Sequence, residues 1–235
     1  MDHSYIDKNL ADVRLKIENA AKRSGRDASK ITLMAAIKSA DADEIKYLFE
    51  HCNVTAMGEN RVQQLTERYG VTGRGGIDLH FIGSLQTNKV KYIIDKVSLI
   101  HSLDSDKLAS EIQKQAQKRG LVARVLVEIN SGNEENKGGI AQSDVAEFCL
   151  SLAKHPNIKL CGFMTMAPKC ENKQDYYHYF NSTKRTADEV WHNVLKLDGE
   201  PVISMGMSES YEQAIECGAT LVRVGRCLFA QDAQQ

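Results

Sequence analysis

Short apolar runs alternate along this chain with longer segments whose apolar residues recur every three or four positions. The first periodic segment places Ile6, Leu10, Val13, Ile17, Ala20 and Ala21 on one face and ends near Gly25, the spacing of a helix with a single buried stripe. Next comes Ile31-Thr32-Leu33-Met34-Ala35-Ala36-Ile37, apolar on both faces. Such a run suits the interior strand of a parallel sheet, where helices cover each side and strict alternation is lost. Further runs predict strands at 54–57, 79–82, 98–101, 122–129, 158–164, 201–204 and 220–224, which with 31–37 makes eight. Helix starts fall between them. Asp41 with Glu44 and Asn60 with Gln63 have the spacing of a capping box, and Ser105 and Ser208 can cap later helices.

The alternation runs through residues 1–235 with no linker rich in Pro, Gly or Ser, and a single domain is expected. Eight strand and helix units predict an α/β fold of the (β/α)8 TIM barrel type. An open doubly wound sheet would place a Gly-x-Gly-x-x-Gly turn after its first strand, and none follows Lys38. Closure makes the last strand a neighbour of the first. Residues near 38, 204 and 223 then converge.

Composition narrows the partners. Thirty basic residues against thirty-one acidic ones give a net charge of -1, which leaves no electrostatic footprint for nucleic acid. The amino terminus lacks a basic segment followed by an apolar one, and no stretch has the length of a membrane span, so a cytoplasmic location is expected. Cysteines at 52, 149, 161, 170, 217 and 227 show no close pairing and read as reduced, mostly buried thiols. The seven histidines have no ligand spacing either, which argues against a metal.

Lys38 ends the first apolar run. A strand-terminal lysine at the functional rim of a barrel is placed for carbonyl chemistry, because desolvation favours its neutral, nucleophilic amine; the alternative is a solvated side chain that merely snorkels outward. Two later segments add to the picture. Ser204-Met205-Gly206-Met207-Ser208 follows the seventh predicted strand, and Arg223-Val224-Gly225-Arg226 ends the eighth. Loops at these positions are the usual phosphate cradle of this fold, with Ser204 as a hydroxyl donor, although both glycines can equally serve turns. A phosphate site beside a lysine suggests a phosphorylated carbonyl compound held as a Schiff base, and pyridoxal phosphate fits that description. Arg223 would lie near its pyridine nitrogen, or else form an ion pair within the barrel.

With Lys38, Gly58-Glu59-Asn60, Val62-Gln63, His80-Phe81-Ile82-Gly83, Leu85-Gln86, Asn88-Lys89-Val90, the Ser204–Ser208 segment and Arg223-Val224-Gly225, the chain resembles the pyridoxal phosphate homeostasis protein family of the YggS/PROSC type. That family's barrel is similar to the amino-terminal domain of alanine racemase. The resemblance covers nearly the whole chain. It implies Lys38 as the Schiff-base lysine, Ser204 and the amides around Met205, Gly225 and Arg226 as phosphate contacts, and Arg223 opposite the pyridine nitrogen. Asn60 lines the pocket, caps a helix with Gln63, or does both.

Ser84, Arg226 and Ser39-Ala40 depart from the family pattern. Arg226 removes a hydroxyl from the cradle, and its guanidinium could instead reach the phosphate or close over the pocket. The segment from Asn130 to Gly139 reads as a lid whose Lys137 is a candidate second amine for transfer of the aldehyde, or a solvated loop lysine. The expected function is a carrier that holds pyridoxal 5′-phosphate and buffers or delivers it to dependent apoenzymes, with a monomer as the default because the racemase dimer depends on a second domain. A racemase of similar fold takes an opposing tyrosine from a second domain, absent here, and no opposing base is evident. Two alternatives stay open: a weak pyridoxal phosphate-dependent amino acid racemase, and an aldolase-type barrel acting on a sugar phosphate.

Overall fold

The computed structural model describes residues 3–73, 75–132 and 138–231. Nine strands occur in the order β1 (Thr32–Ala36), β2 (Ala56–Glu59), β3 (Asp78–Phe81), β4 (Leu99–Leu103), β5 (Ala123–Asn130), β6 (Ile140–Ala141), β7 (Ile158–Thr165), β8 (Val202–Ser204) and β9 (Leu221–Val224). All pairings are parallel. Eight strands close into a barrel as β1-β2-β3-β4-β5-β7-β8-β9 and back to β1, the α/β TIM-barrel architecture expected from the eight apolar runs. In that ring β5 stands diametrically across from β1. The two-residue β6 lies outside the ring and pairs with the carboxyl end of β5 through Ile129 and Asn130.

The helices are α1 (Ser4–Arg23), α2 (Ala42–Glu50), α3 (Val62–Thr72), α4 (Asp106–Lys118), α5 (Val145–Ser151), α6 (Asp175–Asp188), α7 (Tyr211–Glu216) and α8 (Arg226–Phe229). The predicted apolar face of α1 is buried in full. Asp41 caps α2 in a reciprocal box with Glu44, and Ser105 caps α4 by accepting from the Leu108 N–H. The alternation is not perfect. Only short 3-10 turns at Thr87–Tyr92 connect β3 to β4, because the connection carries four polar residues, Gln86, Thr87, Asn88 and Lys89, before it can bury an apolar stripe.

Strand parity divides the core. Ala35, Met57, Leu79, Phe81, Val125, Val127, Phe163, Ile203 and Val222 face the helices in one large cluster. The opposite parity points into the barrel and forms two small apolar clusters, Met34 with Ala56, Ile82 and Leu221, and Leu99 with Leu126 and Met164. Polar residues of the same parity also point inward: His80, His101, Ser204 and Arg223, all buried. Burying such groups is costly unless each finds a partner.

All six cysteines are free, and Cys52, Cys149 and Cys217 are buried while the other three are half-buried. Among the described residues no helix is long and apolar enough to cross a membrane.

Candidate functional site

β1 ends at Ala36, so Lys38 does not terminate the strand as expected. It lies in a 3-10 turn, Ile37–Ser39, with its side chain exposed rather than desolvated. The turn is nevertheless anchored where barrel closure predicts. Ala35 pairs with Val224 across the β1–β9 seam, and Gly225 follows directly. A Cβ on Gly225 would stand 2.9 Å from the Ala36 carbonyl oxygen, so glycine is what lets the end of β9 close on the Lys38 turn. Gly206 answers to a different need. It sits at φ +88°, and a Cβ there would meet Ala214 Cβ at 2.5 Å, so it serves the turn that packs against α7.

Ser208 does not cap α7, as its position in sequence suggested. Its hydroxyl oxygen accepts from the N–H groups of Gly225 (3.3 Å) and Cys227 (3.4 Å), at the start of α8. Met205 is fully buried, and its N–H donates to the Leu221 carbonyl at 3.2 Å. That amide belongs to the sheet and not to a cradle. The Arg226 side chain points to solvent and pairs with Glu209 at 2.8 Å, so the guanidinium neither reaches the seam nor closes over it. Lys137 lies outside the described residues.

Arg223 is buried from end to end. Its Nη1 donates to the Ser204 carbonyl (2.8 Å) and to Ser204 Oγ (2.7 Å), and its Nη2 donates to the Thr165 carbonyl (2.9 Å). Burial pulls the guanidinium down to about 10, against the counter-influence of Glu128; it remains a cation at neutral pH. Ser204 Oγ also meets His101 Nδ1 at 3.0 Å. The expected hydroxyl donor of the cradle therefore faces the barrel interior, and the hydroxyl at the α8 start is that of Ser208.

Across the mouth from β1, a cavity of about 250 Å³ is lined by the ends of β2, β3, β5 and β7, including Asn60, Ser84, Glu128 and Met164. Asn60 is not a helix cap. The residue before α3 is Arg61, whose side chain makes no cap, and the N–H groups of Asn60 and Arg61 donate to Glu59 Oε1 at 2.7 and 3.2 Å. Gln63 pairs with Glu67 instead. A buried carboxylate took the Asn60 amide, and among the described residues Asn60 Oδ1 is buried without a hydrogen-bond partner at the cavity wall. Orphaned buried acceptors of this kind call for an explanation, commonly a ligand or ion.

Glu128, inward-facing on β5, is the titratable group that sequence reasoning missed. Desolvation, reinforced by Asp104, pushes its carboxyl up to about 7, and Arg223 opposes the shift. Its signal was available in Val127-Glu128-Ile129, a charge inside an apolar strand, but only the barrel parity shows that it points at the mouth.

The model of the alanine racemase amino-terminal domain matches residues 9–232. The pyridoxal phosphate homeostasis protein of Aquifex aeolicus strain VF5 is 42% identical over 226 residues, covering 95% of this chain and 97% of that one. The chain belongs to the pyridoxal phosphate homeostasis protein family. A second member of that family, from Escherichia coli K12, is 32% identical over 228 residues and 95% of each chain. Among solved structures, a protein of unknown function from Bifidobacterium adolescentis superposes with a TM-score of 0.89 at 30% identity, covering 97% of both chains. PipY of Synechococcus elongatus PCC7942, solved with PLP bound, superposes with a TM-score of 0.78 at 25% identity, covering 92% of this chain and 100% of PipY.

Proposed function

We propose that this protein binds pyridoxal 5′-phosphate reversibly at the carboxyl mouth of the barrel, with Lys38 as the covalent anchor, and buffers or delivers it to dependent apoenzymes. The observation that carries this reading is the β1–β9 seam, where Gly225 draws the Lys38 turn against a group of amides. The name of the family and the PLP-bound structure of PipY support it.

The residues present fit the ligand. The Arg226 N–H, together with those of Gly225 and Cys227 that rest on the Ser208 hydroxyl at 3.3 and 3.4 Å, would supply neutral donors for a phosphate. Arg223 presents a fixed cation deep in the mouth, suited to a pyridine nitrogen that stays unprotonated. Asn60 Oδ1 and the Glu128 carboxyl offer acceptors on the far wall. When bound, the ligand's aldehyde condenses with a primary amine to a Schiff base with loss of water, a bond that hydrolysis reverses. Lys38 Nζ, exposed on its turn, is reachable both by the incoming aldehyde and by the water or amine that releases it.

An absorbance titration with pyridoxal phosphate followed by borohydride tests the reading. Wild-type protein should turn yellow and retain one label on Lys38 after reduction. Lys38→Ala should lose the label while keeping part of the phosphate-driven affinity. A colourless wild type, or a label unmoved by Lys38→Ala, would end the proposal.

Glu128 favours one second reading, a weak amino acid racemase. A carboxyl raised to about 7, on the strand opposite β1 in the ring, would serve as the opposing acid/base that the sequence did not reveal. Incubation of the loaded protein with amino acids in deuterated water decides between the two. Exchange of the α-proton at turnover rates, lost in Glu128→Gln, would establish the enzyme and displace the carrier.

A further inference from the structure

The inward polar residues form one continuous chain through the barrel. Asp78 stands at the amino end of β3 with its side chain half exposed, and its Oδ2 lies 2.9 Å from His80 Nε2. His80 Nδ1 meets His101 Nε2 at 2.9 Å, and His101 Nδ1 meets Ser204 Oγ at 3.0 Å. Ser204 Oγ accepts from Arg223 Nη1 at 2.7 Å. His80, His101, Ser204 and Arg223 are all buried. The chain thus runs from the amino end of β3 across β4 to β8 and β9 inside the barrel.

Proton counting gives the chain a direction. The Asp78 carboxylate only accepts, and the bond from His80 holds it down at about 2. His80 Nε2 therefore carries a proton, and neutral His80 accepts at Nδ1. His101 must then donate from Nε2 and accept at Nδ1, which turns the Ser204 hydrogen toward His101. The Ser204 lone pairs are left for Arg223. Burial first, with the Arg223 cation nearby, holds the His101 imidazole well below its ordinary value. The reverse direction would need a doubly protonated His80 in the interior, already occupied by the Arg223 cation, and would leave the Ser204 hydrogen without an acceptor among these contacts.

We propose that His80 and His101 are positioning residues of the ligand site, relaying the Asp78 carboxylate through Ser204 to fix the Arg223 guanidinium in the mouth of the barrel. Neither imidazole touches the mouth itself. Their work is to give Arg223 a single orientation and to commit the Ser204 hydroxyl to the interior, so that Ser204 offers no donor to a phosphate. The arrangement of the chain stands independently of the ligand; its effect on affinity rests on the binding of pyridoxal phosphate proposed above.

Nitrogen-15 NMR of the full-length protein without ligand tests the arrangement directly. Both His80 and His101 are expected as neutral Nε2–H tautomers, with Arg223 Nη protons in slow exchange. Asp78→Ala, at the exposed end of the chain, should mix the tautomers of both histidines and speed Arg223 Nη exchange. It should also weaken pyridoxal phosphate binding by about tenfold, the loss of one charge-assisted bond. His101→Leu should do the same or more. If His101 carries its proton on Nδ1, or if Arg223 exchange and ligand affinity are unchanged in Asp78→Ala, the relay is wrong. Failure of the wild type to take up pyridoxal phosphate would overturn the binding proposal alone, because the tautomers and the exchange are read without it.

Discussion

The two walls of the barrel mouth handle buried polarity in opposite ways. On the β8–β9 side, Arg223 and Ser204 are satisfied by Thr165, by backbone carbonyls and by the histidine chain. On the β2–β5 side, Asn60 Oδ1 has no hydrogen-bond partner among the described residues, and desolvation pushes Glu128 up to about 7. A satisfied group is scaffold, already held in one geometry before anything binds. An unsatisfied group destabilises the bare protein and gains a partner only from something that enters. The contrast therefore separates a wall already held in one geometry from a wall that, on the proposed function, receives the ligand.

Breaking the satisfied wall should have the largest effect. Ser204→Val strips His101 Nδ1 of its donor and Arg223 of one acceptor, and is expected to lower unfolding free energy by about 4 kcal/mol, measured by urea denaturation. A loss below about 1 kcal/mol would mean the chain carries little.

Glu128 gives the next largest effect, and it depends on pH. Its carboxyl holds a proton up to about 7 in the folded protein, against 4.5 as the ordinary value, so the folded state binds the extra proton between those limits. Stability should fall as pH rises through that window, by on the order of 3 kcal/mol, and level off above it. Glu128→Gln should flatten this slope in a pH series of thermal unfolding curves.

Asn60→Leu sharpens the comparison from the other side. Removing an acceptor with no partner should change the stability of the ligand-free protein by no more than about 1 kcal/mol. The same substitution should weaken pyridoxal phosphate binding by about tenfold. A large loss of stability without loss of affinity would place Asn60 on the scaffold side.

The smallest effect belongs to Arg226→Ala. Its pair with Glu209 is solvent-exposed on both partners, and removal should cost within about 0.5 kcal/mol and leave ligand affinity unchanged.

What was legible in the sequence was whatever one strand or one helix determines by itself. Both-face apolar runs gave the eight barrel strands, and the stripe from Ile6 to Ala21 gave α1. Gly225 and Lys38 could be brought together because closure of the ring requires it. The site was less legible wherever two elements compete for the same polar group. Asn60 and Gln63 have the spacing of a capping box, yet Glu59 reaches the Asn60 amide from the strand end and takes it, along with that of Arg61. Ser204 and Ser208 are both hydroxyls of one loop, and only the fold shows that the first turns inward while the second turns to α8. His80 and His101 are twenty-one positions apart on neighbouring strands. Each shows as a polar residue inside an apolar strand, but their junction depends on the β3–β4 register, which no local spacing records.

The hydroxyl of Ser208 at the start of α8 bears on kinetics as well as on contacts. A fully buried amide stripped of its acceptor costs about 1–3 kcal/mol, and at the half-buried Gly225 and Cys227 a departing phosphate would raise its own exit barrier by part of that amount. Here the Gly225 and Cys227 amides already have an internal acceptor at 3.3 and 3.4 Å, long enough to yield to an incoming anion and close enough to resume when it leaves. On the proposed binding of pyridoxal phosphate at this site, that acceptor would ease both entry and exit of the ligand, which shortens residence time and suits exchange more than permanent retention.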